Sequence, residues 1–456
     1  MHPLPTSGLK PQASSLRSHA LSVAAAGAVV AAWLLPSPGG DYLLGRYQAH
    51  HFLLALAVTL AAGVIIGWTE FATTRHSRMK LAAAALSAVI SWLLVELAMY
   101  VLIPWPVNPF YHDVAGSSTE LDASVRYKRR PNIQWQGRSM GEQGSNGPFA
   151  MDVEFRTDSD GFRNSSELNA VDLAFIGDSF TEAGNVPEAQ TFAHRMARKL
   201  GATAGIWGVA GYGPLEEVAV LEHYVLPRRP GWVVWQLCEA NDLWDVVDYL
   251  YWQQQNLAQR TSVSWSNRMS DAWKRWRHTS PLIRGLRSLS LHESHLYAFE
   301  GSYRTSDARV IPMRFGVLPS EHTDPSHQPL RWKLTAKAIL KGRQLCRQHN
   351  AELLLVFIPI KLRVTGPYTV FSPEAAGRYQ QSTAVQPDFA TVVARFAERQ
   401  GIMFIDLTES LRHVAAAGHS TYFAFDSHLS PRGHQVLADA AVERIRQAES
   451  QDESRD

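Results

Sequence analysis

Four short segments of this 456-residue chain carry the residue types of acyl-transfer chemistry. The first is Gly177-Asp178-Ser179-Phe180, which interrupts the apolar run 171–176. A run of that length reads as a buried strand, and Gly177 permits a sharp turn at its end. A serine there lies where open α/β sheets hold their ligands. If helical geometry begins beside it, free backbone N–H groups point at its hydroxyl, which suits a nucleophile whose attack creates an oxyanion. The second segment, Trp207 to Pro214, holds Gly208, Gly211 and Gly213, spaced for a tight loop with exposed N–H groups. The third, Cys238 to Asp242, puts Asn241 at a strand end, where its amide either donates to the same oxyanion or serves a turn or helix cap. The fourth holds Asp426 and His428. Neighbours two apart in an extended loop face the same way. Asp426 can then hold Nδ1–H of His428 while Nε2 faces a serine, as in a hydrolase triad. His434 reads as a helix-packing residue.

These segments need a scaffold that gathers strand ends. Candidate strands are 171–176, 203–209, 232–238, 352–358 and 402–405, and helical patterns fall at 188–200, 215–224, 334–349 and 389–400. Pro187 suits the first turn of the first helix, and a last helix follows Ser430-Pro431, where serine caps and proline fits the first turn. The alternation predicts an α/β fold, a three-layer flavodoxin-like parallel sheet. No buried strand is evident between Asp242 and Trp332, so about 250–332 reads as a helical insert. It carries Trp252, Trp265, Trp273 and Trp276 with Arg268, Lys274, Arg275 and Arg277. These residues make either the core of a small cap, a surface for sugars and anions, or a membrane-facing surface.

Serine, glycine, asparagine and histidine in this order resemble the SGNH, or GDSL-type, hydrolase superfamily, over about residues 157–448. The resemblance implies Ser179 as nucleophile and first oxyanion N–H, Gly211 as the second N–H, Asn241 as a side-chain donor, and Asp426 and His428 as the last block. Asp160-Gly161-Phe162-Arg163 is also similar to a segment before the serine in many membrane-anchored members. There are departures. Glu239 stands where the third block usually has glycine, and position 425 is Phe, so the acid must be Asp426. The Asp-x-His spacing is similar to the alginate O-acetyltransferase branch, which modifies polysaccharide outside the inner membrane. There the pair precedes the serine, whereas here it follows. A G-x-S-x-G elbow is excluded by Thr181.

Formal net charge is +2, so no large basic field points to nucleic acid. Cys238 and Cys346 read as buried thiols, with a disulfide open if the domain is exported. No Cys/His cluster suggests a metal site, and no cofactor is expected. Apolar stretches at 21–35, 52–68 and 81–103 predict three transmembrane helices within 21–104. Lys10 and Arg17 in the tail 1–20, and Arg75, Arg78 and Lys80 in the second loop, put both in the cytoplasm. Trp105 and Tyr111 then sit at the outer interface. Residues 105–165 read as an extracytoplasmic lead-in, its basic knot 126–130 a solvated face within reach of lipid headgroups. Residues 166–456 form the catalytic domain, periplasmic on an inner-membrane anchor. Glu96, inside the third stretch, suits a contact with a membrane partner protein. The leading expectation is a membrane-anchored serine esterase acting on an O-acyl group of a cell-surface or exported glycan. The alternative is an O-acetyltransferase of an exported polysaccharide with the same triad. A non-catalytic glycan-binding protein is the third reading, with Glu239 as its hint.

Overall fold

The computed structural model describes residues 79, 83, 86 and 90, 119–138, 151–254, 297–316, 324–384 and 389–453. The chain divides into two units, Met1–Trp105 with Trp276–Ser294, and Pro106–Arg275 with His295–Asp456. In the first, Met79, Ala83, Leu86 and Ile90 are helical and exposed. The cytoplasmic tail, nearly all of the three expected spans, Glu96, Trp105, Tyr111 and the insert's Trp265, Arg268, Trp273, Lys274, Arg275, Trp276 and Arg277 lie outside the described residues. Among the described residues no helix is long and apolar enough to cross a membrane.

The second unit opens with antiparallel pairs. β1 (Thr119–Leu121) pairs with β2 (Tyr127–Arg129), and β3 (Gln134–Arg138) with β4 (Asp152–Arg156). The described part of the expected lead-in is therefore folded structure. Its basic knot is not a solvated face: Arg129 is 1% exposed and ion-paired with Glu182, and Arg126 is paired with Glu216 and Asp248. Then come β5 (Leu173–Gly177), α1 (Ser179–Glu182), α2 (Phe192–Leu200), β6 (Ala204–Gly208), α3 (Pro214–Val220), β7 (Trp232–Cys238), α4 (Asp242–Asp245) and α5 (Asp248–Gln254). A hairpin of β8 (Tyr297–Arg304) and β9 (Val310–Gly316) follows, then α6 (Pro329–Gln348), β10 (Glu352–Ile358), α7 (Lys361–Thr365) and β11 (Thr369–Phe371). The chain ends with α8 (Pro373–Ala384), α9 (Phe389–Gln400), β12 (Met403–Asp406), α10 (Thr408–Ala416) and α11 (Pro431–Glu453).

The central sheet is parallel, in the order β12-β10-β7-β5-β6. Numbered among themselves, these strands run 2-1-3-4-5, the flavodoxin-like order. Every residue of β5 is buried, as are Val233 to Cys238 and Leu353 to Ile358, which is the continuous apolar pattern of strands covered on both faces. Alternate residues feed opposite cores. Ile176, Trp235 and Phe357 pack with α3, α6 and α9, whereas Phe175, Val234 and Val356 pack with α2, α10 and α11.

Two local expectations need correction. The expected helix 188–200 is split: a 3-10 turn, Glu188–Gln190, follows Pro187, and α2 begins at Phe192, where the Thr191 hydroxyl accepts from His194 N at 3.3 Å and caps the first turn. The described part of the insert contains the β8–β9 hairpin, which β11 joins to make a three-stranded sheet. Gly301 and Pro312 argue against strands in the sequence. Pro312 is tolerated because β9 is an edge strand, and Gly301 is needed because a Cβ there would lie 2.4 Å from Thr369 Cγ2 of β11. Cys238 and Cys346 are both free and buried, in line with their reading as buried thiols.

Candidate active site

The serine turn is built around a single polar residue in the apolar strand β7. The Oε1 of buried Gln236 accepts from Asp178 N at 3.2 Å and from the Thr181 hydroxyl at 3.0 Å. A Cβ on Gly177 would lie 2.4 Å from that oxygen and 2.4 Å from Thr181 Oγ1, so glycine leaves room for their hydrogen bond. Asp178 caps α1 by accepting from Phe180 N at 2.9 Å. Burial pushes its carboxyl up, and the bonds from Phe180 N and the Asn241 amide offset part of that. Ser179 is half-buried and is the first residue of α1.

The far end of α1 is closed by the lead-in. The guanidinium of Arg163 is buried and donates to Glu182 O at 2.8 Å, to Val186 O at 2.7 Å and to Ala183 O. Burial lowers its pKa to about 10. Ala183, in the left-handed region at φ +52°, ends the helix after one turn. The Arg129 guanidinium holds Glu182 with bonds of 2.6 and 2.8 Å. Thus the Asp-Gly-Phe-Arg segment and the basic knot both fix the backbone that carries Ser179.

His428 and Asp426 stand on the loop between α10 and α11. Arg314 N of β9 donates to Ala424 O at 2.9 Å, and the buried Lys361 ammonium donates to Ala424 O at 2.6 Å and to Asp426 O at 3.3 Å. Phe423 N donates to His428 O at 3.1 Å, which closes the turn. Ser430 Oγ caps α11 by accepting from Arg432 N at 3.2 Å and Gly433 N at 3.3 Å. The structure brings together Ser179, His428 and Asp426. Ser179 Oγ lies 2.7 Å from His428 Nε2, and His428 Nδ1 lies 2.8 Å from Asp426 Oδ1. The other Asp426 oxygen, Oδ2, accepts from the Asn185 amide. Burial pulls the His428 pKa down, but the Asp426 charge and hydrogen bond outweigh it, and the net shift is upward. His434 is buried against Phe192, and burial lowers its pKa to about 3, so it is a neutral packing residue.

Gly211 lies on the exposed loop after β6, with φ +83°. Among the described residues, neither the Ser179 N–H nor the Gly211 N–H makes a hydrogen bond. Asn241 is different. Its Nδ2 donates to Asp178 Oδ2 at 3.0 Å and to Asp245 Oδ2 at 2.9 Å. Both amide hydrogens are used, so the side-chain oxyanion donor expected at Asn241 is not available in this arrangement. Nor does its side chain cap α4. Glu239 is 1% exposed and takes Ile360 N at 2.9 Å and Arg363 Nε at 3.0 Å. Its carboxylate ties β7 to the start of α7. Gln236, Asn185, Glu182, Arg129 and Lys361 were missed by motif reading. Their only sequence signal is a polar residue inside an otherwise apolar or structural segment. Among the described residues no group of His, Cys, Asp and Glu could hold a metal ion.

Residues 320–456 match the family model for the SGNH hydrolase-like domain of acetyltransferase AlgX. The match includes Asp426 and His428 and stops short of Ser179. The resemblance read from the sequence is met there. Among solved structures, the chain is similar to a GDSL-like lipase of Bacteroides thetaiotaomicron VPI-5482, with 12% identity over 60% of this chain and 88% of that chain, at a TM-score of 0.28. A catalytic mutant of the acetylxylan esterase Axe2 of Geobacillus stearothermophilus is 14% identical over 61% of this chain and 95% of that chain, at 0.31. LAE5, an alpha/beta hydrolase enzyme from the metagenome of Lake Arreo, Spain, is 13% identical over 61% and 96%, at 0.32. No curated protein matches the chain.

Proposed function

We propose, on the premise that residues 320–456 are an SGNH hydrolase-like domain, that this chain is a serine acyl-transfer enzyme that removes an O-acyl group from a cell-surface or exported glycan. The observation that carries the reading is the 2.7 Å approach of Ser179 Oγ to His428 Nε2, with Nδ1 on Asp426 at 2.8 Å. Asp426 accepting from Nδ1–H leaves Nε2 as the acceptor for the serine proton. As Oγ bonds to the ester carbonyl carbon, its proton passes to Nε2. The oxyanion meets the N–H groups of Ser179 and Gly211. His428 then protonates the departing alcohol, leaving an acyl ester on Ser179. Water, deprotonated by His428, releases the acid and restores the serine.

A second reading passes the acyl group to a sugar hydroxyl in place of water. It is favoured by the description of the matching family model as an acetyltransferase. The two share every residue up to the acyl-enzyme and differ in the acceptor. Purified protein mixed with an activated acetyl ester, with and without candidate glycans, separates them. Acetate release unaffected by glycan supports the esterase, and acetylated glycan supports the transferase. No turnover of any ester under either condition overturns both.

The reading includes a membrane anchor, with the catalytic unit on the outer side. The Lys/Arg distribution of the first 104 residues supports it. So does the exposure of Leu86 and Ile90, four positions apart on a helix, at 60% and 47%.

A further inference from the structure

The loop that carries Gly211 is held by a residue outside every motif of the site. Tyr127, on β2, donates its hydroxyl to Ala210 O at 2.7 Å. The C=O of Ala210 and the N–H of Gly211 belong to one planar trans peptide and point in opposite directions. A donor fixed on that oxygen therefore sets the direction of the N–H. Burial holds the phenol well above its ordinary pKa, so it remains a donor. A Cβ at position 211 would lie 2.6 Å from the Tyr127 hydroxyl oxygen, so glycine is needed for the contact as well as for the positive φ.

The adjoining groups are fixed as well. Ala210 N donates to Glu182 Oε2 at 3.2 Å, and Glu182 ends the same helix that begins with Ser179. Arg126 donates to Gly211 O at 2.5 Å, while the Tyr212 hydroxyl donates back to Tyr127 O. The short strand β2 thus grips the serine helix through Arg129 and the glycine loop through Tyr127.

We propose that Tyr127 is a positioning residue for acyl transfer, its hydroxyl orienting the Ala210–Gly211 peptide so that the Gly211 N–H faces the developing oxyanion. The proposal rests on the serine acyl-transfer reading above. An oxyanion donor acts mainly as charge develops, so its misalignment lowers kcat more than it raises KM. The serine–histidine pair is untouched, so the pH at which activity appears stays the same.

The test is Tyr127→Phe in the full chain, which keeps the ring packed on Tyr212, 5.6 Å away between centroids. Activity against an activated acetyl ester is measured per folded molecule. The expected result is a kcat lowered roughly 10–100-fold, below the 10²–10³-fold loss from deleting an oxyanion donor. KM and the acid limb of the pH profile stay unchanged. Affinity for a boronic acid that forms a tetrahedral adduct with serine falls in parallel with kcat. A kcat per folded molecule within about two-fold of the parent, or a variant that no longer folds, assigns the hydroxyl to stability and overturns the proposal. Ser179→Ala is measured beside it. If Ser179→Ala is inactive and Tyr127→Phe keeps its kcat, only the positioning role falls. If Ser179→Ala keeps its turnover, the acyl-transfer reading falls and the positioning role falls with it.

Discussion

At the scale of single residues, His428 sets the pH dependence. Its ionised partner Asp426 lifts its pKa above the ordinary value of about 6.5. Neutral His428 is the base, so kcat/KM should rise with pH and reach half its maximum above pH 6.5. In Asp426→Asn the midpoint should fall and kcat should drop by roughly 10⁴-fold, as when another serine triad loses its acid. The same shift has a stability sign. With the folded value above the unfolded one, the pair's contribution is full below the unfolded value and is lost as pH rises through the folded one. A pH–rate profile and unfolding curves across the same range check both. For Asn241→Ala, buried Asp178 and half-buried Asp245 lose the donor they share, and burial with the nearby Asp178 and Asp248 charges already holds Asp245 up at about 7. The expected cost is about 1–3 kcal/mol in urea unfolding, with kcat falling far less than 10²-fold. A full 10²–10³-fold loss at unchanged stability would return the amide to the oxyanion. Ser179, Asp426 and His428 were legible because each stands beside a local signal, a strand end or a helix start. Asn185 was not, because it meets Asp426 across 241 positions of chain.

At the scale of elements, the active loops depend on a strand of three residues. Arg129 of β2 and Glu182 of α1 are 1% and 3% exposed, so neither charge has water to fall back on. Arg129→Met should cost about 3–5 kcal/mol, because it strands a buried carboxylate. Arg129→Met with Glu182→Leu should recover much of that loss, since replacing a buried pair by apolar groups is often neutral. Chemical unfolding of the single and double variants measures this. Recovery absent from the double variant would mean the pair does more than neutralise itself. The five central strands were legible because each is a continuous apolar run or nearly so. The strands of the lead-in were not. Tyr127, Lys128 and Arg129 show no apolar alternation, because their partners are polar, a distant carbonyl for Tyr127, nearby Asp122 for Lys128 and distant Glu182 for Arg129. The β8–β9 hairpin was hidden by Gly301 and Pro312, whose places in the sheet depend on which strand lies beside them.

At the scale of the whole molecule, the proposed function places an acyl-transfer unit outside the membrane on an anchor. A reporter fused after Trp105 should behave as extracytoplasmic, and one fused between Arg75 and Lys80 as cytoplasmic. The reverse pattern would put Ser179 in the cytoplasm and remove exported glycans as substrates. The flavodoxin-like order was legible from the alternation of strands and helices, because crossover handedness leaves few ways to assemble it. The acceptor was not legible, because water and a sugar hydroxyl ask the same chemistry of Ser179 and His428. The central claim is that acyl groups pass through Ser179. Its most direct measurement is peptide mass spectrometry on protein quenched in acid during turnover of an activated acetyl ester. The account predicts an acetyl group on the peptide holding Ser179, formed slowly or not at all in His428→Ala and absent in Ser179→Ala along with turnover. Undiminished turnover by Ser179→Ala, or an acetyl intermediate on another residue, would contradict it.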